Sequence, residues 1–436
     1  MSFIRELLAG SGGRDEEADV RERKNMQNRE REKKSGGLWK KVLLGAAGVL
    51  LAAVLVAGIA VYAVWHNEIS AVASMELLRD RNDEHLDGAV YKMEVKGGFY
   101  LDDFVAQGGV KNDTELISFV TDKITKGLID MNISDPEIGC SSFTARSQEG
   151  DVLFGRNYDF SKTNTCIVFT EGYNGRHSTI STVDLQFLGI DVEKNIEGLM
   201  DKITCLAAAY APLDGINDAG VSCGIYMTYQ GAETVPTDQD TAKPDLTSTT
   251  LLRLILDYAD SVEDAVEIAS GYDLHDSAGT SYHYMVADAS GKSAILEWVS
   301  GTDSTDNDGS ARQLVVTYND GDAHIGEREA ESDFQWITNF IIQPGYYDGS
   351  PEADRKGYDR YERIYQELDG TEGVVKDEKA AMDILAIVGR RTWNNDDGNG
   401  CTVHSAVYNL TKKTVMWVPN ENYDDSSAIF EFGFED

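Results

Sequence analysis

GCSSFTARSQEGDVLFGRNYDF, residues 139–160, is the stretch on which the fold turns. Cys140 to Arg146 alternates small polar and apolar positions, Ser147 to Asp151 supplies turn chemistry, and Val152 to Phe154 restarts the apolar run. That pattern predicts a β-hairpin. A cysteine at a strand start is ordinarily a buried small hydrophobe. Here a glycine precedes it, two serines follow it, and the return strand carries Arg156 and Asp159. A thiol, a cation that lowers its pKa and a carboxylate that fixes their geometry are the parts of an activated nucleophile.

Composition narrows the function. The 436 residues carry a formal charge of -36, unevenly spread. Residues 1–41 hold 11 Lys/Arg and 8 Asp/Glu, whereas the remainder holds 28 against 67. A body that acidic repels phosphate backbones, so nucleic acid is excluded as a partner. The cysteines are Cys140, Cys166, Cys205, Cys223 and Cys401, with no C-x-x-C pair and no histidine at metal-ligand spacing. A structural zinc site is therefore not expected, and no cofactor is implied. The four cysteines other than Cys140 are free to pair or to remain thiols. The Asp-rich runs 303–308 and 394–399 lack calcium-loop spacing and read as solvated loops. Asn112, Asn132 and Asn409 head glycosylation sequons.

The N-terminal segment divides in two. Residues 1–41 read as a charged tail, mobile or frayed-helical. Residues 42–65 are 24 positions without a charge, closed by Tyr62 and Trp65. This predicts a transmembrane helix with an aromatic belt at its far end. Lys40-Lys41 and the basic stretch before them place the N terminus in the cytoplasm and the acidic body outside. Ala71-Val-Ala73 fits a signal peptidase site, but the apolar run exceeds a usual signal core.

Residues 66–139 read as a leader or propeptide, with a strand near Tyr91–Val95 and a helix capped by Asn112. After the hairpin, strands are expected at 165–170, 179–183, 203–209, 221–228, 282–287, 293–298 and 314–318. Helices are expected at 249–258, from Ser261 to near Gly271, at 358–368 and at 379–388, with a last hairpin over 401–418. Runs of strands alternating with runs of helices fit a layered α+β domain over 140–436 better than regular βαβ units.

Read in full, the hairpin resembles the start of mature enzymes of the choloylglycine hydrolase family, N-terminal-nucleophile hydrolases that include bile salt hydrolases and penicillin V acylases. The resemblance rests on Cys140-Ser-Ser and Gly155-Arg-Asn-Tyr-Asp159, then on Asp214-Gly-Ile-Asn-Asp-Ala-Gly220. It continues in His283 to Ser293 with Glu297, Val315-Val-Thr-Tyr-Asn319 and Asp359-Arg-Tyr-Glu-Arg363. It implies a four-layer αββα sandwich and hydrolysis of a linear amide of an N-acylated small molecule, with Cys140 exposed by autoproteolysis at Gly139–Cys140.

It further implies the site Cys140, Arg156, Asp159, Asn319 and Arg360: nucleophile, thiolate stabiliser, orienting carboxylate, oxyanion donor and second arginine. Tyr226, or Met227 on a one-residue realignment, would shape the oxyanion site. The family usually exposes its cysteine by removing a short leader, whereas 139 residues precede it here, and an acidic insertion follows Asn319. Two other readings stand beside this one. One is a papain-like cysteine peptidase pairing Cys140 with His283 and never cut; the other is a tethered binding protein that hydrolyses nothing. Association into homo-oligomers is left open.

Overall fold

The computed structural model describes residues 12–124, 127, 139–228, 242–299, 312–320, 334–343, 357–393 and 400–434. The Asp-rich runs, the acidic insertion after Asp320 and the Asn132 sequon lie outside them. In chain order α1 (Gly12–Ser74) leads to β1 (Glu76–Arg79), β2 (Val90–Val95), α2 (Leu101–Ala106) and α3 (Asp113–Lys123). The hairpin is β3 (Gly139–Ser147) and β4 (Val152–Ser161), followed by β5 (Thr165–Thr170), β6 (Thr179–Asp184), α4 (Leu199–Thr204), β7 (Asp214–Asn217) and β8 (Ser222–Met227). Next come β9 (Asp245–Thr247), α5 (Ser248–Tyr258), α6 (Val262–Gly271), β10 (Asp273–His275), β11 (Tyr282–Ala287), β12 (Ser293–Val299) and β13 (Gln313–Tyr318). The chain closes with β14 (Trp336–Ile337), α7 (Tyr358–Asp369), β15 (Val374–Val375), α8 (Glu378–Ile387), α9 (Arg390–Trp393), β16 (Gly400–Asn409), β17 (Thr414–Pro419) and β18 (Phe430–Gly433).

Met1–His66 form one unit and Asn67–Asp436 another. In the first, residues 12–41 are helical and continuous with the apolar run, the helical form of the charged tail. Among the described residues α1 is the one helix long and apolar enough to cross a membrane, by length and composition.

The second unit is built on two sheets. One runs β1-β2-β5-β6-β7-β8-β11-β12-β13; the other runs β14-β3-β4-β16-β17-β18, with β15 also on β3. Helices α5 and α6 pack on the first sheet through β7, β8, β11 and β12, and α7 and α8 pack on the second through β3, β4, β14 and β16. Side chains facing the other way bridge the sheets: Arg156 of β4 meets Asp214 of β7, and Trp417 of β17 donates to Thr182 of β6 at 3.2 Å. The order is helices, sheet, sheet, helices. Alternation along the strands explains it, since Arg156 faces the opposing sheet while its neighbour Asn157 donates to Leu385 O in α8 at 2.8 Å.

The 66–139 segment is woven into this body. β2 pairs in parallel with β5 along its length, and β1 continues the sheet edge. Asn112 accepts from Glu115 N at 2.9 Å and starts α3 as the capping pattern predicts. Ala71 is fully packed in the core. Asn409 is buried and donates to Asp151 and Glu378, so that sequon sits in the interior.

One expected strand is absent. Residues 203–209 end α4 and enter a 3₁₀ turn over Cys205–Tyr210, all buried. A short apolar run has no periodicity to separate a buried strand from a buried helical turn, and packing decided. All five cysteines are free and buried.

The turn from β7 to β8 shows what Asn217 and Gly220 do. Asn217 Oδ1 accepts from Ala219 N and Val221 N at 3.1 and 2.9 Å, while its Nδ2 donates to Leu256 O and Ala259 O at the end of α5. Gly220 has φ +90°, and a Cβ there would lie 2.5 Å from Leu410 O. Asn217→Ala strands several buried groups at once. It is expected to lower unfolding stability by roughly 2–3 kcal/mol with secondary structure retained, measured by urea titration followed by circular dichroism.

Candidate active site

Register brings the hairpin residues together. Cys140 lies opposite Tyr158, Ser142 opposite Arg156 and Gly139 opposite Asp159. The Cys140 thiol is buried and lies 3.7 Å from Ile225 O in β8 of the other sheet. Arg156, equally buried, donates through Nη2 to the same carbonyl at 2.8 Å and through Nε to Asp214 Oδ2 at 3.2 Å. Its guanidinium lies 4.3 Å from the centre of the Tyr226 ring, and the Tyr226 hydroxyl donates to Ser142 Oγ at 2.5 Å. Three of the predicted residues, Cys140, Arg156 and Tyr226, thus meet at one buried cation.

Arg360, at the start of α7, reaches the same place from outside the sheet. Its Nη1 donates to Asp159 Oδ2 at 2.8 Å and to Cys140 O at 3.2 Å, and its Nη2 to Asn339 Oδ1 at 2.9 Å. Asp159 also accepts from Thr402 Oγ1 at 2.7 Å. Arg360, itself held by Asp159, therefore fixes the Cys140 backbone.

Asn319 is placed elsewhere. Its Oδ1 accepts from Ser293 N and its Nδ2 donates to Gly291 O, both at 3.0 Å, which braces the turn between β11 and β12. It follows β13, three strands from β8 in the sheet order. At about 4.8 Å per strand it lies on the order of 15 Å from the thiol. The asparagine at the thiol is Asn339. Ile337 pairs with Ser142, so two residues on Asn339 comes level with Cys140; its Oδ1 accepts from Cys140 N at 2.7 Å and its Nδ2 donates to Met227 O at 2.8 Å. No spacing in the sequence marks Asn339, which is 199 positions from its partner and reaches it only through the β14–β3 pairing.

Two more residues escaped sequence reasoning. Asp214, part of a motif read only as a turn, accepts from Arg156, from His404 Nε2 at 2.8 Å and from the Tyr408 hydroxyl at 2.5 Å. His404 stacks between Tyr158 and Trp417. Burial alone would push the Asp214 carboxyl up; His404 and Arg156 beside it overcome this and hold it at about 2, ionised at any working pH. His283 has both ring nitrogens engaged, Nδ1 with Glu297 at 3.0 Å and Nε2 with Thr338 O at 2.8 Å, so the expected peptidase partner does not face the thiol.

These residues can hold an amide carbonyl beside a thiol whose charge is controlled from one side. Residues 140–302 match the sequence profile of the linear amide C–N hydrolases, choloylglycine hydrolase family. The family matched over those residues hydrolyses linear amide C–N bonds. No curated protein matches the chain in sequence. Among solved structures it is similar to a mutant of the conjugated bile acid hydrolase from Clostridium perfringens, at 15% identity over 68% of this chain and 92% of that one, TM-score 0.43. Penicillin V acylase from Agrobacterium tumefaciens is 15% identical over 68% and 86%, TM-score 0.41. An N-acylethanolamine-hydrolyzing acid amidase ortholog from Caenorhabditis elegans is 17% identical over 62% and 93%, TM-score 0.36.

Burial pushes the Cys140 thiol up, and the Arg156 cation pulls against that shift. Removing the cation therefore raises the thiol further, so less thiolate exists at a given pH. Arg156→Met is expected to move the acid limb of the kcat/KM profile roughly 1–3 pH units upward, with Arg156→Lys, which keeps the charge, moving it less. A pH–rate series on an amide substrate reads both.

Proposed function

We propose that the protein is a membrane-anchored amide hydrolase of N-acylated small molecules, with Cys140 as its nucleophile after the Gly139–Cys140 bond is cut. The observation that carries this reading is the convergence on one residue. Asn339 accepts from the Cys140 nitrogen, Arg360 donates to its carbonyl, and Arg156 lies beside its thiol. An internal catalytic cysteine needs only its sulfur placed; here the nitrogen is given a partner as well.

After the cut that nitrogen is an α-amine with an ordinary pKa near ~8, a base partly neutral at physiological pH. The thiol gives its proton to the α-amine and the sulfur attacks the substrate carbonyl. The leaving amine takes that proton as the C–N bond breaks, which leaves a thioester on Sγ. Water then hydrolyses the thioester and releases the carboxylic acid. The Asn339 amide, beside Cys140, is the side chain best placed for the developing oxyanion, the role the sequence had suggested for Asn319. Arg156 favours the thiolate, Asp214 and Tyr226 hold Arg156, and Asp159 with Arg360 holds the Cys140 backbone.

Maturation uses the same parts. Sγ attacks the Gly139 carbonyl, the Gly139–Cys140 C–N bond breaks as the nitrogen takes a proton, and water hydrolyses the resulting thioester. The family match opens at Cys140, which agrees with this. Gly139 packs tightly, since a Cβ there would lie 3.0 Å from Asp159. The 42–65 span, with the basic residues before it, would hold the enzyme on the outer face with its N terminus in the cytoplasm. The parallel pairing of β2 with β5 supports retention of the leader after the cut.

The wild type is expected to give two polypeptides on denaturing gels that co-elute under native conditions, while Cys140→Ala remains one chain and is inactive. Intact-mass analysis beside native chromatography checks this, and full activity from an uncut chain would sink the proposal.

A further inference from the structure

A cleft of about 740 Å³, open mouth included, lies next to the nucleophile. Ile225, whose carbonyl touches both Cys140 Sγ and Arg156, forms part of its wall. One side comes from the body, with Phe187, Leu188 and Leu213; the facing side is Leu116, Ile117 and Val120 of α3, which precedes the cut. The helix is fixed at both ends of this stretch. Asp113 Oδ2 accepts from Ala278 N at 2.8 Å, and Phe119 meets Tyr210 edge-on at 5.7 Å between ring centres.

Polar lining is gathered rather than scattered. Asp113 is tied to Ala278, and the adjacent Ser277 donates its backbone N–H to Ser248 Oγ at 3.0 Å, so these three polar residues cluster around the N terminus of α3. The rest of the wall is mainly aliphatic. A charged or polyhydroxylated acyl group would lose its water there without equivalent hydrogen bonds in return, whereas a hydrocarbon chain loses nothing polar.

We infer that this cleft takes the acyl part of the substrate, an unbranched aliphatic chain, and that α3 of the leader sets the length accepted. The inference rests on the amide-hydrolase reading above. It makes the leader a specificity element: the segment ahead of the nucleophile is one wall of the site, so an enzyme stripped of it would lack chain selectivity.

The test uses the full-length protein and N-acyl 4-nitroanilides from acetyl to tetradecanoyl. For the wild type, kcat/KM is expected to climb about threefold to fourfold per methylene until the cleft is full, the gain for burying a CH₂. Leu116→Trp fills the cleft and is expected to move the optimum to shorter chains. Leu116→Ala enlarges it and is expected to extend the longest chain accepted, which keeps the test usable if the tryptophan variant misfolds. Hydrolysis whose chain-length profile neither variant alters would overturn this inference and leave amide hydrolysis standing. If no anilide is hydrolysed, the amide reading itself falls. Calorimetry with decanoate then decides the cleft: binding weakened at least tenfold by Leu116→Trp upholds it, and no binding overturns it.

Discussion

A guanidinium with no exposed surface lies between the two sheets, and the site is arranged around it. Arg156 is held by Asp214 on β7, by the Ile225 carbonyl on β8 and by the face of Tyr226. Desolvating a cation and a carboxylate costs several kcal/mol each, and their attraction repays this only when the remaining donors and acceptors are matched. Asp214 is matched: two further donors, His404 and Tyr408, come from β16 on the sheet that carries Arg156. The pair thus fixes how the sheets meet while keeping a positive charge beside the thiol. A core of the same volume made of hydrocarbon would hold the sheets together without tuning any sulfur.

Cys140 is held from both faces of its sheet. Toward the opposing sheet the thiol meets Ile225 and Arg156; toward the helices its backbone meets Asn339, Arg360 and, through Arg360, Asp159. Period-two alternation makes this division possible, because side chains one residue apart on β4 reach opposite layers. The 66–139 segment enters the same scheme from the sheet edge, with β2 on β5 and α3 over the cleft. A segment that supplies two strands of a sheet is part of the fold.

Local signals were read well where one element explains itself. The hairpin, the Asn112 and Ser261 helix caps, the start of α7 near Tyr358 and the final hairpin all lie where pattern and capping residues put them. Residues 203–209 form a helical turn where a strand is expected, because a short apolar stretch carries no period, and Asn319, expected at the oxyanion, braces a turn because nothing local to a strand's end says which way it faces. Residues 12–41, charged and without an apolar stripe, have a helical backbone, one of the two states expected of them.

By itself the sequence determined the hairpin with Cys140, Arg156 and Asp159, the acidic body, the uncharged apolar run over 42–65 and the profile match of residues 140–302. Each is written in neighbouring residues or in composition, so no distant contact is needed to see it. Tertiary structure alone decided that Asn339 stands level with Cys140, that Asp214 and His404 lie beneath Arg156, and that α3 walls the cleft. Those contacts join residues far apart in the chain through strand register and the facing of two sheets. Register is a property of pairs of strands, set by which faces they bury together, and one strand's sequence does not contain it.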